Sequence, residues 1–445
     1  MSFRKIIFWL HLLAGVIAGI VILIMSVTGA ALAFEKEIVA WSERKIRNVT
    51  PPTTGAQPLP LEQLLAKAQE ARPGERPSGI TVDSDPNIAI LVSFGRTNAY
   101  YINPYSGELA EQGTGGVRAF MHVMIDWHRY LGGHDENRAR GKAITGACNA
   151  AFLFLAVSGL YLWWPRQWTS KAFRAIGFMS FKLSGKARDW NWHNAIGFWT
   201  APILIVLTAT AMPISYPWAS NLIYKLAGSP VPVQGVPPGS GAVEAPTPPP
   251  GTRPLSLGAL FTAAQKEFPQ WKQITQRAGG GARAGGRAGG GTNAVSEATA
   301  ATNRTDAVAG ENRERPSRGE GREGRGGEGG GNRAAQPVTL TVIEKGTWPL
   351  FANTQVTLDP FTGAVLRKEG FGDFNLGRQV RSWTRFLHTG EALGKPGKLV
   401  AGLASGAAAL LVWTGFALAW RRFFPGRKNG GDLATEAASQ ASGKE

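Results

Sequence analysis

The stretch DWNWHNAIGFWTAPILIVLTATAMPISY, residues 189–216, decides the fold of this 445-residue chain. After one charged residue and two tryptophans, His193 opens a run without any further charge. As a helix, a run of about twenty such residues spans a hydrocarbon core of roughly 30 Å. The stretch therefore predicts a membrane span with an ionisable side chain at its N-terminal end.

Three other blocks share this apolar character, although only 43% of the whole chain is hydrophobic. Each block is close to the length that a transmembrane helix needs. The sequence therefore predicts a membrane α-helical protein with four transmembrane helices. The predicted spans are residues 6–34, 143–164, 193–216 and 397–420.

The distribution of cations predicts the orientation of these spans. The connection 165–192 carries Lys and Arg against a single acid, Asp189, and more cations flank both chain ends. Positive loops stay in the cytoplasm. We therefore expect a bacterial inner-membrane protein with a cytoplasmic loop 165–192, a cytoplasmic tail 421–445 and both termini cytoplasmic. The two long connections are then periplasmic.

A cleavable signal peptide is the rival interpretation of the N-terminus, since small residues at 31–33 follow an apolar run. That run is about twice as long as a signal core, which favours an uncleaved first helix. The net charge of +17 is spread along the membrane flanks, so no nucleic-acid partner is expected. Cys148 is the only cysteine, which excludes an intrachain disulfide and a C-x-x-C-H haem attachment site.

Each outer connection contains a helix-like segment, alternating strand-like runs and a closing turn. The turns are NPYSGEL at 103–109 and DPFTGAV at 359–365, which have the composition of tight turns. We expect two periplasmic α+β modules, formed by residues 55–118 and by residues 231–277 with 336–372. An interfacial segment, 119–142, follows the first module. The Gly/Arg-rich insert 278–335 is expected to be disordered.

An internal repeat links the two halves of the chain. Gly141-Lys142 matches Gly397-Lys398, and each pair is followed at the same offset by a Ser/Thr-Gly pair, at 158–159 and 414–415. His11 and His193 likewise each precede a glycine by four residues. Because each half begins and ends in the cytoplasm, the four helices should form two parallel repeats.

The six histidines all lie within or just before a hydrophobic span, where an ionisable side chain is a functional candidate. The repeat matches His11 with His193 at one membrane face, and His128 with His388 at the other. Two imidazoles facing each other across a bundle are what a non-covalent b-type haem needs as axial ligands. The pattern therefore predicts two haem b groups.

Other residues are weaker candidates for this site. Gly15 and Gly197 would let a flat macrocycle approach the helix backbone at i+4 from their histidines, and Gly132 has the same spacing from His128. Further ligand candidates are His122 and His134, and the candidates for pairing with haem propionates are Arg129, Arg381 and Arg385. Directly bound zinc or iron is less favoured, because within the predicted spans no acid shares a helix face with His11 or His193.

Five motifs, WLHLLAG, DWHRYL, GLYLWWPR, WHNAIGFW and FLHTGEALG, together with the two turns, resemble the PepSY-associated transmembrane helix family. The resemblance covers nearly the whole chain except the insert. It implies an inner-membrane protein of iron acquisition with PepSY-like periplasmic modules, similar to di-haem ferric-siderophore reductases. It also implies haem ligation by His11, His128, His193 and His388, with the periplasmic ligands the less securely assigned.

The function expected from these observations is an oxidoreductase that carries electrons across the membrane. A cytoplasmic reductant or quinol would supply the electron, and a periplasmic ferric siderophore would be reduced from Fe(III) to Fe(II). The alternatives are a membrane-anchored PepSY binding or regulatory protein and a haem or siderophore permease. The sequence contains neither an H-E-x-x-H motif nor a G-x-S-x-G motif, so it does not favour a hydrolase.

Overall fold

The structure, a computed structural model, describes residues 2–53, 55–95, 98–113, 116–165, 167–233, 251–277 and 336–424. The chain divides into two compact units. The first comprises residues 1–37, 118–220 and 382–445, and the second comprises residues 38–117 and 221–381. The insert 278–335, predicted to be disordered, and residues 425–445 of the predicted cytoplasmic tail lie outside the described residues.

The described residues form helices and strands with the following bounds. From the N-terminus to the second long helix they are α1 Phe3–Leu32, α2 Glu35–Ser42, α3 Arg44–Arg47, α4 Leu61–Ala71, β1 Pro77–Asp83, β2 Ile90–Phe94, β3 Asn98–Ile102, β4 Leu109–Glu111, α5 Val117–Tyr130 and α6 Glu136–Trp163. The remainder are α7 Ser170–Gly177, α8 Gly185–Ser215, α9 Pro217–Leu226, α10 Leu257–Glu267, β5 Trp271–Arg277, β6 Val338–Glu344, β7 Thr354–Leu358, β8 Val365–Glu369, α11 Leu376–His388 and α12 Gly394–Phe423.

Within the first unit, α1, α6, α8 and α12 are long and apolar enough to cross a membrane, as the sequence predicts. All four begin earlier than the predicted spans. In particular, α8 begins at Gly185, so His193 lies two turns inside the helix and does not open it. The added turns hold Asp189, which is fully buried and ion-paired with Arg188 and Arg421, so its charge is compensated at the helix end.

The four long helices pack as a bundle in which α1 and α8 each contact both α6 and α12. Glycine permits two close approaches at the starts of α6 and α12. A Cβ at Gly141 would collide with the carbonyl of Tyr130, and one at Gly397 would collide with the carbonyl of Gly390. Small residues of this kind let helix backbones approach closely in membranes.

The second unit is built on one antiparallel eight-stranded sheet in the order β4-β3-β2-β1-β5-β6-β7-β8. The sequence predicts strands in each outer region, but it does not predict that the two sets join. They join because β1 pairs with β5, with Thr81 opposite Thr275. This pairing satisfies the backbone groups of both strands, which would otherwise be exposed sheet edges.

The two predicted turns have the same hydrogen bonds. The Asn103 side chain accepts from the Tyr105 amide at 2.9 Å, and the Asp359 side chain accepts from the Phe361 amide at 2.8 Å. Gly107 and Gly363 both have positive φ, 72° and 71°, a conformation that favours glycine. The Asx-Pro-aromatic-Ser/Thr-Gly motif therefore specifies this turn locally.

Helices α4 and α10 lie over one face of the sheet and enclose its core. Val92, Leu340 and Val356 are completely buried there, together with Leu64 of α4 and Ala264 of α10. Burial of each large aliphatic side chain contributes roughly 1.5–3 kcal/mol. The helices also meet through the Glu62 carboxylate, which accepts from the Gly258 amide at 2.8 Å.

Candidate functional site

His11 of α1 is held by a serine on α6. Its Nδ1 lies 2.8 Å from the Ser158 hydroxyl, and that hydroxyl is 3.4 Å from the Leu155 carbonyl of its own helix. A hydroxyl has one proton to donate and accepts through its oxygen. When the Ser158 proton goes to Leu155, the Ser158 oxygen accepts from the imidazole.

His193 of α8 has an equivalent partner on α12. Its Nδ1 lies 2.9 Å from the Thr414 hydroxyl, which donates to the Leu410 carbonyl at 2.8 Å. Thr414 is fully buried, so no solvent competes for these bonds. With the hydroxyl protons directed to the Leu155 and Leu410 carbonyls, each ring of this pair, which we call the hydroxyl-bound pair (His11 and His193), donates from Nδ1 and keeps its lone pair on Nε2.

The glycine after each of these hydroxyl residues lets the ring lie against the helix. A Cβ at Gly159 would stand 3.3 Å from Cε1 of His11, and one at Gly415 would stand 3.5 Å from Cε1 of His193. The Ser-Gly and Thr-Gly dipeptides thus supply a hydrogen-bond acceptor and a flat surface together. The two rings of the pair lie within electrostatic reach of each other.

His128 of α5 donates to backbone of α1. Its Nδ1 is 3.0 Å from the Met25 carbonyl and 3.1 Å from the Thr28 hydroxyl, which itself donates to Ile24. His388 at the end of α11 donates from Nδ1 to the Leu207 carbonyl of α8, at 2.9 Å. Carbonyl oxygens only accept, so both rings carry the proton on Nδ1. We call His128 and His388 the carbonyl-bound pair.

Met25 lies fourteen residues after His11, and Leu207 lies fourteen residues after His193. At 1.5 Å per residue, the two histidine pairs are therefore separated by about 21 Å along α1 and along α8. The structure places one pair near the N-terminal ends of these two helices and the other nearer their C-terminal ends. Two pairs at two depths is the arrangement that the sequence predicts.

The two rings of the carbonyl-bound pair lie close together. Their centroids are 6.3 Å apart, with 46° between the ring planes. A metal held between two imidazole nitrogens requires ring centres roughly 6 Å apart, at roughly 2 Å per bond plus the radius of each ring. The angle is compatible with rotation of one ring about the shared axis. The residues present therefore fit bis-imidazole axial ligation.

All four imidazoles are half-buried, and each lies within hydrogen-bond distance of an oxygen through Nδ1. Metal-bound histidines generally donate their other ring N–H to a carbonyl, carboxylate or hydroxyl, which fixes the tautomer and the ring orientation. Within the described ranges, no group of three or more His, Cys, Asp or Glu side chains is placed to hold a metal ion. The donors come in pairs, which suits a macrocycle that supplies its own equatorial nitrogens.

The weaker histidine candidates lie elsewhere. His134 is exposed between α5 and α6. His122 is half-buried on α5, six residues before His128, which places it about 120° around the helix from that ligand candidate. Neither is part of the two pairs, and a role for either in ligation stays a prediction.

The arginine candidates have aromatic neighbours. Arg129 lies over the Tyr130 ring at 5.2 Å and Arg385 lies over the Phe386 ring at 6.0 Å. Arg381 is buried, in the second unit. Their pairing with propionates is a prediction that these contacts leave untested.

The i+4 glycines divide into two groups. A Cβ at Gly15 or Gly197 would make only ordinary contacts, at 3.8 Å to Leu155 and 3.7 Å to Leu411, so helix packing does not require glycine at either position. Gly132 differs, because α5 ends before it and its φ of 70° closes the helix. The left-handed backbone conformation after the end of α5 therefore explains why residue 132 is a glycine.

Sequence reasoning missed the roles of Ser158 and Thr414. Both residues were visible as members of the internal repeat, at matching offsets, but only as markers of it. A hydroxyl residue within an apolar span is itself a signal, because it needs a hydrogen-bond partner or a backbone carbonyl there. Their histidine partners lie 147 and 221 residues away in the chain, which no local pattern discloses.

Comparison with known proteins identifies a family. The family model described as PepSY-associated TM region matches residues 8–422. This range contains all four histidines and both hydroxyl partners. None of the curated proteins that were searched matches the chain.

Proposed function

The chain belongs to the family of the PepSY-associated TM region, and we propose that it is a membrane oxidoreductase that binds two b-type haems and reduces a ferric siderophore. The observation that carries the proposal is that the four imidazoles share one hydrogen-bonding arrangement. Each has its Nδ1 committed to an acceptor on a membrane helix, and each keeps Nε2 available as a ligand. An anchor for a binding module does not need this arrangement.

The proposed ligands are His11 with His193 and His128 with His388. When bound, haem would supply one-electron chemistry through the Fe(III)/Fe(II) couple. Ser158 and Thr414 hold two of the rings by accepting from Nδ1, and the carbonyls of Met25 and Leu207 hold the other two. These acceptors prevent the imidazoles from rotating or taking a proton at the wrong nitrogen.

We further propose that the two halves of the chain are parallel repeats. Corresponding contacts recur at matching offsets in both halves, which supports the proposal. Gly146 of α6 and Gly402 of α12 each face an aromatic residue just past the first span of the other half, Tyr216 at 3.1 Å and Phe34 at 2.7 Å from a built Cβ. Tyr216 and Phe34 each lie twenty-three residues after their own histidine, His193 and His11.

The proposed location is the bacterial inner membrane with both termini in the cytoplasm and the eight-stranded unit in the periplasm. The cations Arg188 and Arg421, near the start of α8 and the end of α12, support this orientation by the positive-inside rule. The hydroxyl-bound pair would then lie nearer the cytoplasm. The carbonyl-bound pair would lie nearer the periplasm, where the substrate iron arrives.

The proposed substrate is Fe(III) held by hard oxygen donors. One electron reduces it to Fe(II), for which such donors have a far lower affinity, so that reduction releases the iron. The electron would come from a cytoplasmic reductant or from quinol. The periplasmic sheet and helices would provide the surface that binds the chelate.

The decisive experiment is the visible spectrum of the detergent-purified full chain, made with ample haem, with haem quantified per chain. We expect Soret and α bands and two haems per chain. His193→Ala should lose one haem, whereas His134→Ala, at an exposed position, should retain both. Absence of the bands, or equal haem content in the two variants, would contradict the proposal.

A second measurement tests the reaction itself. The dithionite-reduced protein should be reoxidised by a ferric hydroxamate siderophore. One Fe(II) should appear for each haem that is reoxidised. The matched control is the gallium complex of the same siderophore, which has the same charge and cannot be reduced. If the ferric and gallium complexes give the same result, the chain is a haem-binding protein of another kind.

A further inference from the structure

A cavity of about 940 Å³ lies between α7, the segment after it and the first turns of α8. Its wall is mostly apolar, with exposed aromatic surface, and also holds two cations. The lining residues are Ser170, Arg174, Phe178, Ser180, Leu183, Lys186, Ala187, Trp190 and Asn191. All belong to the first unit, so one compact body forms the whole cavity.

The segment that forms the cavity is fixed to α8 by several hydrogen bonds. Asn191 is buried, accepts from the Ser180 amide at 2.8 Å and donates to the Phe178 carbonyl at 3.1 Å. Trp192 donates from Nε1 to the Ser180 carbonyl at 3.1 Å. The cavity is therefore a built feature of the structure.

The charge of the cavity is not balanced locally. Arg174 and Lys186 line it, and among the described residues neither forms an ion pair. The one acid of this segment is Asp189, which is fully buried and already engaged with Arg188 and Arg421. The two cavity cations are therefore available to pair with an external anion.

The apolar part of the wall limits which anion fits. Phe178 is 54% exposed and Trp190 is 46% exposed. A small free anion would pair with the cations but leave this aromatic surface uncovered, whereas an anion with a hydrocarbon tail would satisfy both parts. The cavity is also at the level of the membrane surface, since α6 ends nearby at Trp163 and α8 continues into the span.

We propose that this cavity binds the phosphodiester headgroup of an anionic phospholipid, with Arg174 and Lys186 on the phosphate and an acyl chain along Phe178 and Trp190. Basic pockets at the ends of membrane helices have the chemistry that anionic headgroups require. The acyl chain continues into the adjacent bilayer, which supplies the ligand at high local concentration. The inference uses none of the histidines and does not depend on haem.

Native mass spectrometry of the full chain in detergent tests the proposal. Delipidated protein is mixed with equal amounts of phosphatidylglycerol and phosphatidylcholine, and the lipid retained per chain is counted. The wild type should retain phosphatidylglycerol in preference. The double variant Arg174→Gln with Lys186→Gln should lose roughly fivefold in retention for each cation removed. Lys182→Gln, an exposed cation of the same segment outside the cavity, is the matched control and should behave as wild type.

Equal retention of the two lipids by the wild type, or undiminished phosphatidylglycerol in the double variant, would overturn the proposal. Competition by sn-glycerol 3-phosphate distinguishes a lipid from a free anion. An equimolar amount should not displace phosphatidylglycerol, because it lacks the chain that covers the aromatic wall. Complete displacement would show that the cavity is a site for free anions. Far-ultraviolet circular dichroism verifies that each variant is folded.

Discussion

The Nδ1 atom of His193 lies 2.9 Å from the Oγ1 atom of Thr414, and the proton of that hydroxyl is directed to the Leu410 carbonyl at 2.8 Å. Thr414 is therefore the acceptor, and the ring lone pair resides on Nε2. The tautomer of a histidine inside a membrane helix is thus set by a threonine 221 residues away.

The substitution Thr414→Val tests this relationship, since it keeps the shape of the side chain and removes the acceptor. We expect haem affinity at the hydroxyl-bound pair to fall about 10- to 100-fold, the usual cost of removing such a partner. The measurement is haem retained per chain during titration with apomyoglobin. The control is Thr200→Val on α8, whose hydroxyl bonds only to the Ile196 carbonyl among the described contacts. Similar losses in both variants would assign Thr414 a packing role.

Gly159→Ala tests the space beside His11. The added Cβ would lie 3.3 Å from Cε1 of the ring, a distance at which the imidazole must shift. We expect a changed electron paramagnetic resonance signal of one ferric haem, because its g values depend on axial-ring orientation. Gly406→Ala, where the added methyl group meets nothing within 4 Å, should leave the signal unchanged. An unchanged signal in Gly159→Ala would show that the ring does not ligate there.

The two pairs should differ in reduction potential. The nearest Nδ1 partners of His128 and His388 are carbonyls, whereas those of His11 and His193 are hydroxyls that are already donors themselves. Carbonyls are the stronger acceptors, so they make the ligands more basic and favour the ferric state. We expect a two-step redox titration in which the carbonyl-bound pair has the lower potential, as reduction of a tightly chelated Fe(III) requires.

The two steps can be assigned with one variant. His193→Ala should remove the step at higher potential and leave the lower one. Loss of the step at lower potential would instead assign that step to the hydroxyl-bound pair. It would contradict the expectation that carbonyl acceptors lower the potential.

The ion pair between Glu37 and Lys398 predicts a pH dependence of stability. Its oxygens lie 2.8 Å and 3.0 Å from Nζ, and Lys398 is buried. Partial burial acts to raise the pKa of Glu37, but the hydrogen bond and charge of Lys398 outweigh it and lower that pKa. The contribution is therefore present at neutral pH and is lost as the pH falls below the ordinary glutamate value of about 4.3.

The contribution should be less than about 1 kcal/mol, because the Glu37 side chain is partly exposed and screened. Thermal unfolding of wild type and Glu37→Gln, at neutral and acidic pH, measures it. The variant should be less stable only at neutral pH. Lys36→Gln, at the exposed pair Lys36–Glu391, is the control and should have a smaller effect. A deficit of Glu37→Gln that persists at acidic pH would refute the linkage.

The join between the two sets of strands can be tested by a disulfide. Thr81 of β1 is opposite Thr275 of β5, and their hydroxyls are 3.1 Å apart. In a Cys148→Ser background, Thr81→Cys with Thr275→Cys should form a disulfide on mild oxidation, since directly opposite Cα atoms lie about 4.5–5.5 Å apart. The control pair Thr81→Cys with Thr341→Cys is one strand further away and should stay reduced. A disulfide in the control alone would refute the β1–β5 register.

Much of the fold follows from local chemistry and so is readable in the sequence. Hydropathy and length specify the four spans, since only a helix satisfies its backbone in a bilayer. Asn103 and Asp359 each bond the backbone two residues on, which explains why both turns are predictable. The equivalence of His11 with His193, and of His128 with His388, also follows from spacing alone.

Only the tertiary structure decided which residues far apart in the chain become hydrogen-bond or strand partners. Hydropathy does not tell which hydroxyl meets which imidazole, because Ser158 and Thr414 differ from other polar residues of the spans only in what faces them. Nor does the pattern of either outer region reveal that β1 pairs with β5, since an edge strand and a central strand have the same alternation. The sequence determined four spans and four candidate ligands, and packing alone determined which hydroxyl or carbonyl each imidazole meets.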